Sequence, residues 1–168
     1  MRWRTRTSRT SGATAAADRW VDVERPTPLT RERVAGVLDS RSEHYGIDED
    51  GDVAATYNGN EVWFLLLGDR EEVLQVRARW KRRYPASSVR ELVHATNDWN
   101  RDRLWPKTYL HQEADQVRVY AEVSANLDDG VTTKQLEAVM GVALDSTMAM
   151  FASFEELLTE GEGESEEG

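Results

Sequence analysis

The chain has 168 residues, enough for one compact domain with terminal extensions and too few for two domains of ordinary size. Its 31 acidic against 21 basic side chains leave a net charge of −10, which sets the surface against phosphate backbones and anionic lipid. With no cysteine, disulfides, thiolate nucleophiles and cysteine-based zinc sites are excluded together. The cytoplasm is the expected location, since the basic N-terminus lacks the apolar segment of a secretory signal and no run of about eighteen apolar residues offers a membrane span.

The charge is unevenly placed. Arg2, Arg4, Arg6, Arg9 and Arg19 crowd the first nineteen residues, and seven glutamates fall between Glu155 and Glu167. Neither stretch has a periodic apolar pattern to offset the entropy of ordering it. Residues 1–19 are therefore expected to be a disordered basic arm and 159–168 a disordered acidic tail, around a single domain at 20–158. Residues 20–154 hold 16 basic and 23 acidic side chains, so this body is acidic on its own account.

Thr30 stands at a helix N-cap position ahead of Val34, Val37 and Leu38 at three- and four-residue spacing. Tyr45–Ile47 and Val53–Tyr57 flank the turn Asp48-Glu49-Asp50-Gly51 and predict a hairpin. Asn58-Gly59 predicts a second tight turn into the apolar run Val62–Leu67. From Glu71 to Arg83 good helix formers abound, yet Leu74, Val76, Ala78 and Trp80 alternate strictly with Gln75, Arg77, Arg79 and Lys81. Only an extended chain puts the first set on one face, so this segment is predicted as a strand ended by Pro85.

Ser88 with Glu91 forms a capping-box signature for a helix that directs Val89, Leu92, Val93, Thr96 and Trp99 inward and stops before Pro106. Lys107–His111 and Val117–Val123 read as another hairpin, with Val117, Val119, Ala121 and Val123 on one face. Past the turn Asp128-Asp129-Gly130, Thr132 and Gln135 repeat the capping box. A long helix follows with Leu136, Val139, Met140, Ala143, Leu144, Thr147, Phe151 and Phe154 on one side. The order α-β-β-β-β-α-β-β-α predicts an α+β domain, its helices packed on an antiparallel sheet.

Catalytic and metal-binding parts are missing. His44, His94 and His111 include no pair four residues apart. Asp48, Asp50 and Asp52 begin like a calcium loop, but its sixth position is Val53 and its twelfth Gly59, where glycine and a bidentate glutamate are required. No glycine-rich phosphate loop, nucleophile elbow or dinucleotide fingerprint occurs. Glu113 with Asp115, and His94 with Asp98, are pairs that acid–base chemistry uses, but charged pairs of this kind ordinarily form solvated faces. No catalytic residue, cofactor or metal is assigned, and the chain is not expected to be an enzyme.

The segment from Asn97 to Tyr109 concentrates amides, aromatics and charges where a helix gives way to a strand. Asn97 and Asn100 lie one turn apart and can satisfy backbone groups of the following loop, while Trp99 and Trp105 can bury large areas and lock the corner. Asn97, Trp99, Asn100, Arg101, Trp105, Pro106, Lys107 and Tyr109 thus form a motif that is either a structural corner or a partner-binding patch.

These residues resemble the YbjN family of bacterial sensory transduction regulators. The likeness continues through Val117–Val123, the turn Asp129–Val131 and Gln135-Leu136, and covers roughly three quarters of the chain. It implies a fold similar to type III secretion chaperones, often paired as dimers that hold a partner chain, and a regulatory or assisting role without ligand, cofactor or substrate. A non-catalytic, chaperone-like protein-binding domain is therefore the first reading. Its expected partner is an unidentified protein or peptide, and a homodimer through strand edges or helix faces is compatible with it. The second reading is a nucleic-acid-linked regulator in which Arg77, Arg79, Lys81, Arg82 and Arg83 meet phosphates against the overall charge. An unrecognised hydrolase is the third.

Overall fold

Turn chemistry fixes the first three strands. In the computed structural model, which describes residues 24–164 and side chains as far as Leu157, strands β1 (Tyr45–Ile47), β2 (Val53–Tyr57) and β3 (Asn60–Leu67) run antiparallel. Tyr57 pairs with Asn60 across Asn58 and Gly59, whose φ angles of 53° and 84° are those a two-residue hairpin turn needs. Between β1 and β2, Asp48 Oδ1 accepts the backbone N–H of Asp50 at 3.1 Å and of Asp52 at 2.9 Å. Asp48 is thus spent on closing its own turn, while Asp52 lies 3.7 Å from the Arg31 guanidinium.

The segment rich in helix formers is strand β4 (Val73–Arg79), paired with β3 from Glu61 opposite Arg79 to Leu67 opposite Val73. Leu74, Val76 and Ala78, and Trp80 just beyond, are buried. Period-two burial outweighs helix propensity here, because the face an extended chain presents is apolar throughout.

The sequence reading needs one added strand. The chain does not leave the sheet at Pro85: β5 (Tyr84–Pro85) pairs with Val117 and Gln116 of the long strand β7 (Gln116–Asn126). Strand β4 pairs with residues 120–126 of β7, and β6 (Lys107–Glu113) pairs along residues 116–122. Because β6 fills one edge of β7, β4 and β5 must share the other. The sheet runs β1-β2-β3-β4-β7-β6, with β5 prolonging the β4 position. Where β4 and β5 part, buried Arg118 plugs the gap, its Nη1 donating to Trp80 O at 3.5 Å and its Nε lying 3.5 Å from Glu113 Oε2.

Helix α1 (Arg31–Ser40) begins as expected, with the Thr30 side chain accepting from Arg33 N–H. Helix α2 (Val89–Asp102) does not. Ser88 closes a 3-10 turn, Ala86–Ser88, and makes no side-chain cap bond. Ala86 N–H is held by Asp115 O, so β5 delivers the chain into a tight turn where the reciprocal Ser88–Glu91 bonds do not form. Leu92 and Thr96 are buried and Trp99 half-buried, a stripe at i, i+4 and i+7. Val93, one position round the helix from Leu92, is exposed rather than inward.

Helix α3 (Thr133–Glu164) starts with the predicted capping box. Gln135 Oε1 accepts Thr132 N–H at 2.9 Å, and Thr132 Oγ1 accepts Gln135 N–H at 3.2 Å. It runs past the expected boundary at 158. The expected arm at 1–19 lies outside the described residues, as do the last four residues of the expected tail. By length and composition Thr133–Leu157 could cross a bilayer, contrary to the expectation of no span, but Leu136, Met140, Ala143, Met150, Phe151 and Phe154 are committed to the core.

The helices cover one face of the sheet. Trp80 is the hub, stacked on Phe151 at 6.0 Å and meeting Phe154 edge-on at 6.1 Å, while Trp99 of α2 meets Phe154 at 6.2 Å. Ahead of α1, the chain is stitched over the start of α3. Thr27 bridges Val131, Arg33 donates to the carbonyls of Thr27, Pro28 and Val131, and Glu24 Oε1 accepts Thr133 N–H at 2.6 Å. Gly130, at φ 86°, allows this crossing, since a Cβ there would sit 3.0 Å from Thr27 O.

Candidate functional site

The segment singled out in the sequence divides into two parts. At the corner, Asn100 Nδ2 donates to Thr108 O at 2.8 Å and Thr108 N–H donates to Asn100 Oδ1 at 3.0 Å. One side-chain amide therefore stands in for a neighbouring strand and satisfies both groups that β6 turns outward at Thr108. Trp99 Nε1 donates to Pro106 O at 3.1 Å, and Thr108 Oγ1 donates to Tyr120 O at 2.8 Å. The Trp105–Pro106 peptide is cis, and Pro106 and Thr108 are buried. Trp99, Asn100 and Pro106 are thus joined in one hydrogen-bonded corner between α2 and β6.

The other residues of the motif face outward. Asn97 is exposed on α2, one turn before Asn100, and does not share its backbone bonds. Arg101 is held by Asp98 and Asp102, which raise its pKa, the Asp102 hydrogen bond foremost. Trp105, expected to bury itself and lock the corner, is 46% exposed and Leu104 is 73% exposed. Lys107 is exposed at the start of β6. The Tyr109 hydroxyl donates to Glu122 at 2.6 Å while its ring stacks on Tyr120 at 5.6 Å; burial and Glu122 together raise its pKa.

Trp105 lines a groove of about 270 Å³ with Val123, Ser124 and Ala125 of β7 and Ala138, Val139 and Val142 of α3. Apart from the serine its walls are apolar side chains, and Val142 is 45% exposed. Of this α3 wall only Val139 belongs to the stripe that the sequence predicts to face inward, and Ala138 and Val142 lie off it. A wider depression of about 400 Å³ lies between the β2–β3 turn and α3, and two of its polar side chains, Asn60 and Glu155, are engaged within the fold. Asn60 Oδ1 accepts Lys81 N–H at 2.9 Å, and Glu155 accepts from Arg82.

Of the five basic residues read as a phosphate-binding face, Arg77, Arg79 and Arg82 are paired with carboxylates, while Lys81 and Arg83 are exposed. On the sheet face away from the helices, Arg77 Nε lies 2.8 Å from Glu122, and Arg79 donates to Glu61 at 2.6 Å while its guanidinium lies 5.6 Å from the Trp63 ring. Arg82 is tied to Glu155 on α3. The two acid–base pairs are likewise dispersed. Asp98 pairs with Arg101, and Glu113 accepts the Tyr120 hydroxyl at 3.1 Å beside Arg118 and Arg79. Burial opposes ionisation of Glu113, but these partners outweigh it and lower its pKa. Among the described residues no group of three His, Asp or Glu could hold a metal ion.

A seven-stranded antiparallel sheet covered on one side by three helices, with an apolar groove lined by Trp105, β7 and α3, defines an α+β domain. The YbjN family model, described as "Putative bacterial sensory transduction regulator", matches residues 30–156, and the chain belongs to that family. Among solved structures it is similar to one described as "YbjN, a putative transcription regulator from E. coli", with a TM-score of 0.69 and 13% identity over 80% of this chain and 97% of that one. At that identity the likeness concerns the fold. Among curated proteins, no match was found.

Proposed function

We propose that this YbjN-family chain is a non-catalytic regulatory module that acts by binding another protein, taking an apolar segment of it into the groove beside Trp105. The observation that carries the reading is the division of the motif. Trp99, Asn100 and Pro106 are used up in folding, whereas Trp105 stands in solvent on the same groove as Val142, and folding alone gives no reason for large apolar side chains there. The groove is favoured over added strands, because β1 offers only three residues and the Asn100 amide already occupies the edge of β6 at Thr108. A type III chaperone-like hold on an extended partner chain, with the protein in the cytoplasm, agrees with this surface.

The E. coli neighbour's description as "a putative transcription regulator" brings in the second reading, direct contact with nucleic acid. Against it stand Glu122, Glu61 and Glu155, which neutralise Arg77, Arg79 and Arg82. The test is affinity capture from the native cells by the wild-type chain and by Trp105→Ala and Val142→Asp variants of verified melting temperature. A specific protein retained by wild type and lost from both variants is expected. Equal retention by all three refutes the groove as the binding surface.

A further inference from the structure

One wall of that groove is a strand edge with no strand beside it. Strand β6 pairs with residues 116–122 of β7 and begins at Lys107 opposite Glu122, whereas β4 follows the other side of β7 as far as Asn126. Residues 123–126 therefore have a strand neighbour on one side alone. In an antiparallel sheet the backbone groups of successive residues point to opposite edges. Val119 O accepts Trp80 N–H and Leu127 N–H donates to Glu72 O, both on the β4 side, so Val123 and Ala125 point that way too. The N–H and C=O of Ser124 and Asn126 point to the other edge, where no strand of the described residues meets them. Unlike Thr108, whose outward groups are satisfied by Asn100, they have no side-chain amide across them.

The side chains around this edge sort by face. Val123 and Ala125 line the groove with Trp105, Val139 and Val142. On the opposite face Ser124 Oγ accepts from Gln75 at 3.1 Å, and Glu122 is held by Arg77 and Tyr109. Lys107 shares that face with Tyr109, two residues on along β6. Because Glu122 opposite it is already engaged, Lys107 is an exposed cation without an ion pair among the described residues.

We infer that the partner segment taken up by this groove enters as an added strand, in line with β6 and antiparallel to residues 123–126 of β7. Its residues opposite Val123 and Ala125 are apolar and drop into the groove. The residue between them, opposite Ser124, is acidic and reaches Lys107. The inference rests on the groove being the partner-binding surface and states what fills it: an extended segment with a carboxylate between two apolar side chains.

The probe is a fluorescein-labelled octapeptide that repeats threonine-valine-aspartate-valine, read by anisotropy against the full chain. In the inferred register the amides of its aspartates and threonines face β7, and those of its valines face solvent. N-methylation of the two aspartates should weaken binding at least about tenfold, and N-methylation of two valines less than about threefold. Equal loss from the two patterns, or no binding of the unmodified peptide, overturns strand addition. Lys107→Gln should weaken the unmodified peptide severalfold at low salt, and an unchanged affinity overturns the acidic position. By NMR, the Ser124 and Asn126 amides should exchange with deuterium faster than those of Val123 and Ala125 in the free chain, and slow when the peptide is added. Protection that rises with protein concentration alone overturns the inference and gives the edge to a second copy. Partner capture still lost in Trp105→Ala and Val142→Asp would then leave the binding function standing without the added strand.

Discussion

Trp99 and Trp105 lie six residues apart in one motif and meet opposite fates. Trp99 is half-buried, donates to Pro106 O and packs on Phe154. Trp105 donates no such bond and leaves nearly half its surface in water, on the lip of an apolar groove. The difference teaches that a family motif can combine two demands, a corner that makes the fold and a lip that the fold does not use. Only the geometry separates them, since both tryptophans look equally fit for burial in the sequence.

The sharpest way to break the comparison is stability. Trp99→Ala, which removes aromatic packing and a hydrogen bond, should cost about 3 kcal/mol in urea unfolding. Trp105→Ala should cost less than about 1 kcal/mol while abolishing partner capture. A similar loss from both would make the lip structural. Asn100→Ala comes next, at about 2 kcal/mol, because it leaves the N–H and C=O of Thr108 unpaired. Asn100→Asp should not rescue it: a carboxylate can accept from Thr108 N–H but faces the Thr108 carbonyl without a proton to donate.

The open sheet face gives a smaller effect. A double-mutant cycle of Arg77→Gln with Glu122→Gln should show coupling below about 1 kcal/mol that shrinks with added salt, as for exposed pairs generally. The same face should show no salt-sensitive gel shift with duplex DNA at low ionic strength. A steep salt slope that Arg77→Gln reduces would restore the nucleic-acid reading.

Most of the fold was legible because its strongest signals are local and redundant. The Asn58-Gly59 turn, the alternation from Leu74 to Trp80 and the Thr132–Gln135 capping box each dictate one conformation on their own. Strand β5 was not legible: two residues carry no period, and they pair only because β7 extends beyond β4. The failure of the Ser88 cap follows from that, since pairing at Tyr84–Pro85 decides how the chain enters α2. Of the candidate site, Asn100 and Trp105 could be named from the sequence but not sorted. The groove could not be found, because Val123, Ala138 and Val142 come from elements that meet only in the tertiary structure.

The smallest predicted effect concerns how α3 is tied to the end of β4. Arg82 hydrogen-bonds Glu155 and holds its carboxyl below the ordinary value of 4.5, against a weaker opposing push from burial. A carboxylate whose folded pKa is depressed contributes stability that is present in full above its unfolded value and lost as pH falls through the folded one. The contribution should therefore be intact at neutral pH and fade below about pH 4.5. Glu155→Gln should flatten that part of the acid limb by roughly a few tenths of a kcal/mol, the size expected for a pair about a third exposed. Arg82→Gln should do the same, and the double variant no more than either. If the two single effects add, the residues act through separate contacts, and the link from the sheet to the helix that walls the groove is not this ion pair.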